Sequence, residues 1–171
     1  NYNGGNFEGM ENLRVRGQSS NLKFERMWAV PNKQTFTVPI IKKLVKSKKH
    51  GLVLDLFSYP FDKDVLQKLK ETKTESIDVL LFDPPYSTKM NKLLYHNKGD
   101  SIYDNLYYRK LKMEVARVLK PGGIVIKFGW NSTRMNNNFE IEEIVLISHG
   151  GQHHDTICSI QKKIIGDILN C

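Results

Sequence analysis

Apolar residues in this chain gather in short continuous runs of strand length, separated by stretches with helical spacing. Leu52-Val53-Leu54-Asp55-Leu56-Phe57 and Ile77-Asp78-Val79-Leu80-Leu81-Phe82 each carry one acidic residue in an otherwise apolar run. Runs of that kind read as strands covered on both faces. Ile124-Val125-Ile126-Lys127-Phe128-Gly129-Trp130 predicts a third strand. Glu142 to Ser148 and Asp155 to Lys162 predict two more, on either side of Gly150-Gly151. Helical spacing appears first after Thr37-Val38-Pro39, which suits a cap and first turn, with Ile40, Ile41, Leu44 and Val45 on one face. A short helix is expected from Asp64 to Glu71, with Val65, Leu66 and Leu69 inward. A longer one runs from about Asp104 to Lys120, with Leu111, Val115, Val118 and Leu119 inward, and Pro121-Gly122-Gly123 ends it. The closely spaced last two strands read as an antiparallel hairpin on the edge of an otherwise parallel sheet. The alternation as a whole predicts a doubly wound α/β domain.

Outside these elements the pattern changes character. Residues 1–24 are rich in Asn and Gly and read as a polar arm, with order beginning near Phe24. Residues 87–101 hold Lys89, Lys92, His96 and Lys98 among polar and aromatic residues, and their length marks a functional loop or lid. The 171 residues suffice for one domain with its own core. Lys and Arg number 26 against 18 Asp and Glu, a formal charge of +8, which favours a polyanionic partner. Nucleic acid leads that expectation and a membrane surface comes second; no apolar run has transmembrane length. No segment reads as a signal peptide, and Cys158 and Cys171 have neither metal nor redox spacing, so an intracellular, reducing location is expected. Lys42, Lys43, Lys46, Lys48, Lys49 and His50 form either a phosphate-binding patch or the solvated end of a helix.

The stretch with the clearest chemistry is Asp83-Pro84-Pro85-Tyr86. Two prolines cannot continue a central strand, because they donate no N–H to the ladder. The strand before them must therefore stop at Asp83, with a carboxylate at its carboxyl end, where open α/β sheets bind ligands. An aromatic ring beside a carboxylate and a proline-fixed carbonyl can stack on a planar base while the two acceptors hold its amino group. The plain alternative is a strand end with a turn-forming Pro-Pro. His149, His153, His154 and Asp155 match no standard zinc spacing and read as strand-edge polar residues, so no metal is expected.

An Asp-Pro-Pro-Tyr tetrad after an apolar strand resembles the signature of amino-group DNA methyltransferases. Val118-Leu119-Lys120-Pro121-Gly122-Gly123 before a strand resembles a segment common among methyltransferases generally. More specifically, the chain is similar to compact phage-type adenine-specific DNA methylases over residues 26–163. The similarity lies in Met27-Trp28-Ala29-Val30-Pro31-Asn32, Thr35-Phe36-Thr37, Pro39-Ile40 and Leu81 to Ser87. It continues in Phe128-Gly129-Trp130-Asn131-Ser132, His149-Gly150-Gly151 and Asp155-Thr156-Ile157.

That resemblance implies a Rossmann-like methyltransferase sheet over residues 25–171, S-adenosylmethionine as cofactor and DNA as the leading substrate. It implies that Asp83, Pro84, Pro85 and Tyr86 are catalytic, with Tyr86 stacking on a base flipped from the duplex. It implies that Asp55, Phe57 and Ser58 meet the methionine part of the cofactor and Asp64 its adenine. Asp64 equally suits a helix N-cap. Thr35, Phe36 and Thr37 pack beside the cofactor in the family, and Phe36 equally suits plain core. Lys89, Lys92, Trp130 and Asn131 are expected on the substrate side, with core packing as the other role for Trp130. The family has Asp-Pro-Phe followed by small residues where this chain has Asp55-Leu56-Phe57 and then Tyr59-Pro60, and between Ser58 and Asp64 it has a longer stretch with an acidic residue for the ribose. Three functions follow: a DNA adenine-N6 methyltransferase; the same chemistry on RNA adenine or cytosine N4; and a non-catalytic nucleic-acid-binding subunit. A protein partner or homodimer is possible in each case.

Overall fold

The computed structural model describes residues 18–30, 35–57, 65–84, 105–151 and 153–165. Its strands are β1 (Gln18–Trp28), β2 (Val53–Asp55), β3 (Ile77–Phe82), β4 (Leu119–Gly129), β5 (Phe139–Ser148) and β6 (Thr156–Lys163). The helices are α1 (Pro39–Lys48), α2 (Val65–Glu71) and α3 (Asn105–Val118), with a 3-10 turn at Thr35–Thr37. All six strands join one sheet in the order β1-β5-β6-β4-β3-β2. Neighbours pair in parallel except at β6, which runs antiparallel to both β4 and β5. This is the mostly parallel, doubly wound α/β architecture that the sequence pattern predicts.

The apolar runs are continuous because helices cover the sheet on both faces. Leu80 and Phe82 of β3 pack with Leu69 of α2 and with Leu111 and Val115 of α3. Val79 and Leu81, pointing the other way, pack with Ile41, Leu44 and Val45 of α1 and with Ile126 and Phe128 of β4. From Val79 to Phe82 no residue is more than 2 % exposed, so β3 is buried on both faces although it lies next to the edge strand β2.

Five expectations differ in detail. The helix expected to reach Lys120 ends at Val118, and Leu119 opens β4, so Pro121-Gly122-Gly123 lies inside a strand instead of ending the helix. The final hairpin is not at the edge, because β6 lies between β4 and β5. Cys158, Ser159, Ile160 and Gln161 of β6 are all buried, and a strand so covered needs partners on both sides. The first strand reaches back to Gln18, ahead of Phe24, because Gln18 and residues 23–28 of the polar β1 pair with β5. The N-cap of α1 is Val38, without a side-chain cap, and Pro39 opens the helix. Finally, β2 spans three residues, shorter than the apolar run that contains it.

Two glycines are demanded by close approach at the end of the sheet where β3 begins. A side chain at Gly51 (φ 57°) would collide with the Asp78 carboxylate. That carboxylate accepts the Leu52 N–H at 2.7 Å and the Lys120 ammonium at 2.8 Å. A Cβ at Gly123 would stand 2.9 Å from the Lys120 carbonyl oxygen. Here the ladder slips between Ile77↔Leu119 and Val79↔Ile124, an irregularity that accommodates Pro121 within a strand. Among the described residues no helix is long and apolar enough to cross a membrane.

Candidate active site at the carboxyl ends of the strands

Parallel pairing brings the carboxyl ends of β1 to β5 to one edge of the sheet, and β6 enters from that edge. In spatial order the edge carries Trp28-Ala29, Ser148-His149, Thr156-Ile157, Gly129-Trp130, Asp83-Pro84 and Asp55-Leu56. Register fixes the neighbours. The ladder between β3 and β4 ends at Phe82↔Lys127, so Asp83-Pro84 leaves β3 at the level where Phe128-Gly129 ends β4. Asp55 pairs with Leu81, two residues before Asp83. Asp83 and Asp55 follow Leu81 and Val53 at two-residue spacing, which sets both on the α1 face. On that face Phe36 meets Phe128 edge-on, with ring centroids 5.4 Å apart.

The two carboxylates differ in environment. Burial pushes the Asp55 carboxyl above its ordinary value, against the opposing pull of the Phe57 N–H and of Lys68 and Lys49. Lys68 Nζ also binds the Asp55 backbone oxygen at 2.8 Å. Leu56 and Phe57 are buried, and Phe57 packs edge-on against Phe82 at 5.2 Å. Asp83 and Pro84 are half-buried where β3 ends. Burial likewise raises the Cys158 thiol, and the charges of Glu143 and then Asp83 add to that effect. Cys158 pairs with Phe128, so this coupling agrees with Asp83 standing on the Phe128 side of the sheet.

Gly129-Trp130-Asn131 is held from below by a residue that sequence reasoning passed over. Lys127 is 4 % exposed. Its ammonium donates to Asn131 Oδ1 at 2.9 Å, the Thr133 carbonyl at 2.9 Å and Thr133 Oγ1 at 3.1 Å. Burial, with Lys112 nearby, lowers its pKa to about 8. A single lysine inside Ile124-Val125-Ile126-Lys127-Phe128 was the available signal, because a buried cation needs a reason. Asn131 Oδ1 also accepts from Thr133 Oγ1 at 2.6 Å and the Thr133 N–H at 3.3 Å, so it closes its own loop. Gln161 supports the next turn, taking the Met135 N–H at 2.7 Å and donating to the Thr133 carbonyl.

Trp130 does not pack in the core. It is 53 % exposed, with its ring 5.0 Å from that of His154. His149 closes the β5–β6 turn. The Ala29 carbonyl can only accept, so His149 Nδ1 donates to it at 2.8 Å and Nε2 accepts from the Thr156 hydroxyl at 2.9 Å. Asp155 takes the His149 N–H and the Ser148 hydroxyl, both at 3.3 Å. The lysine run of α1 ends away from this edge. Lys48 meets Glu143 at 2.6 Å, five residues before Ser148 in β5. Pro85, Tyr86, Ser58, Asp64, Lys89 and Lys92 lie outside the described residues.

No family model and no curated protein matches the sequence. Among solved structures, a protein from Sulfolobus solfataricus assigned provisionally as a type 11 methyltransferase is 15 % identical. Its TM-score is 0.39, with 86 % of each chain covered. The protein PH0851 is 14 % identical with a TM-score of 0.38, and this chain spans 44 % of its length. Likeness at that level bears on neither substrate nor mechanism.

Proposed function

We propose that this protein is an S-adenosylmethionine-dependent methyltransferase acting on the exocyclic N6 amine of adenine in DNA. The observation that carries the reading is the position of Asp83-Pro84 at the carboxyl end of β3, a strand buried on both faces. Two other segments of the resemblance, Asp55–Phe57 and Gly129–Asn131, lie at the same end of the sheet, and Phe36 packs against Phe128 of β4. The described residues fit a cofactor with a cationic amino-acid end. Asp55 offers a desolvated carboxylate, and Phe36 gives an aromatic surface on the same face. When bound, the cofactor supplies an electrophilic methyl group on a sulfonium.

The protein's own contribution is to make a poor nucleophile reactive. The adenine amine is weakly nucleophilic because its lone pair is delocalised into the ring. The Asp83 carboxylate and the Pro84 carbonyl accept its two N–H bonds, which localises the lone pair on nitrogen and aims it along one direction. Pro84 cannot donate, so its backbone presents only an acceptor. Asp83 then serves as the first acceptor for the proton that the methylated amine sheds. By the resemblance, Tyr86 stacks on the base and Pro85 stiffens the turn. Lys127 holds the β4 tip alongside, and Asp55 pairs with the ammonium of the methionine end.

Incubation with radiolabelled S-adenosylmethionine and either DNA or RNA, followed by nucleoside analysis, tests the reading. Label in N6-methyldeoxyadenosine is expected; label confined to RNA, or to N4-methylcytosine, overturns the substrate assignment. One observation favours a second reading, a nucleic-acid-binding subunit without its own turnover. β2 is a three-residue edge strand, and a buried Leu56 stands where the family has proline. That subunit would bind DNA and yield no labelled nucleoside at any protein concentration.

A further inference from the structure

We infer that Trp130, backed by His154, is a stacking platform for an unpaired base next to the one held at Asp83-Pro84. The inference rests on the reading of this edge as a base-handling site and extends it to a second nucleotide. Trp130 follows Gly129 at the end of β4, the strand paired with β3, whose last paired residue Phe82 directly precedes Asp83-Pro84. The indole is 53 % exposed although it follows six consecutive buried residues of β4, Ile124 to Gly129. An indole left so far in water forgoes the burial that its neighbours in β4 have, as an aromatic does when its face serves a partner. The His154 ring lies 5.0 Å away at an interplanar angle of 43°, so the indole is braced on one side rather than swinging freely. Less rotamer freedom is then lost when a flat partner lands on it.

The surroundings select the class of partner. Asp155, the acidic residue of the adjoining turn, is committed to Ser148 and the His149 backbone. The neighbouring side chains of that turn are His149, His153 and His154, and the chain carries a formal charge of +8. An uncharged aromatic face among histidines, in a basic protein, suits a nucleobase on an anionic strand better than an acidic peptide. A base pulled from a duplex also leaves its neighbours unstacked, and their exposed faces need cover.

The test reads binding without any methyl donor. A fluorescent single-stranded DNA 12-mer is titrated by anisotropy with the full chain, Trp130→Ala and Trp130→Phe, with thermal melts as a folding check. Trp130→Ala should bind about tenfold more weakly, the loss of one base–aromatic stack, and Trp130→Phe should keep most of the affinity. The Trp130→Ala ratio should stay constant as salt rises from about 50 to 200 mM, because stacking releases no counterions while phosphate contacts do. Trp130→Ala binding within twofold of the natural chain overturns the inference, as does Trp130→Phe falling as low as Ala. A ratio that collapses with salt overturns it as well. Intact Trp130-dependent binding by a protein that transfers no methyl group would sink the proposed activity and leave the platform standing.

Discussion

The two ends of the sheet are built on different principles. Where β3 begins, charge is matched by charge. Asp78 lies between the Lys120 ammonium and the Leu52 N–H, and Glu143 takes Lys48. Arg117 gathers Glu114, Thr74 Oγ1 and the carbonyls of Leu69 and Thr72. Where β3 ends, the chain keeps a desolvated carboxylate at Asp55, a half-buried one at Asp83 and two large exposed indoles, Trp28 and Trp130. The first end holds the fold together. The second keeps groups whose natural complements are an ammonium, an amine and a flat ring. Stability and activity should therefore respond to different ends.

The largest separation is expected at Asp83. Asp83→Ala should lower methyl transfer by about 10²–10³-fold or more, as the loss of one preorganised polar partner of a reacting group does. DNA binding and Tm should stay close to those of the natural chain. Rapid-quench assays beside anisotropy check this, and retained turnover refutes the role.

Asp55→Asn comes next and should move activity and stability in opposite directions. Binding of S-adenosylmethionine should weaken by about tenfold or more, the worth of a charge-assisted hydrogen bond. The apo protein should become more stable at pH 7, by roughly 2 °C in Tm, because a penalised charge is gone. The sign follows from linkage. A carboxyl whose folded pKa is raised costs stability as pH climbs from its unfolded value through its folded one, and Asn lacks that loss. Calorimetry and melts at pH 4 to 7 read both.

Lys127→Met should cut transfer by about tenfold through a loosened Gly129–Thr133 loop, since misplacement near a site is costly. Its signature is pH. With a folded pKa near 8 against an ordinary 10.5, the buried ammonium binds its proton less tightly than the unfolded chain does. The natural protein should therefore gain stability from about pH 8 to 10.5 relative to Lys127→Met. A flat difference in Tm over that range removes the proposed origin of the shift.

The smallest effect on function belongs to the other end. Asp78→Asn should leave transfer and DNA binding within about twofold while lowering Tm. The depressed Asp78 pKa means its stabilisation is present above the unfolded value of 3.8 and fades as pH falls through the lower folded one. A melt series against pH checks it; loss of transfer at unchanged Tm would break the division between the ends.

The same contrast explains what was legible in the sequence. β3 matched its expected bounds because a strand buried on both faces is written as an unbroken apolar run and stopped by proline. Asp83-Pro84 could be placed at its end for the same reason. β1 was missed in part, because an edge strand needs few apolar residues and Gln18 to Asn21 look like an arm. The location of β6 was hidden because spacing reports that two strands are neighbours, not which further strands enclose them. The sequence points to core packing for Trp130 ahead of the pocket, and the structure leaves it exposed, since an aromatic's exposure depends on what stands across from it. Lys127 announced itself as one cation in an apolar strand, but its partners Asn131 and Thr133 appear only once the loop folds back.

The central claim is that Asp55 and Asp83 serve one site, one for the methyl donor and one for the amine. Calorimetric titration of S-adenosylmethionine into the natural chain, Asp55→Asn and Asp83→Ala tests it most directly. The account predicts one-site binding by the natural chain, retained by Asp83→Ala and lost or strongly weakened in Asp55→Asn. No heat of binding to the natural chain, or equal binding by Asp55→Asn, would contradict it.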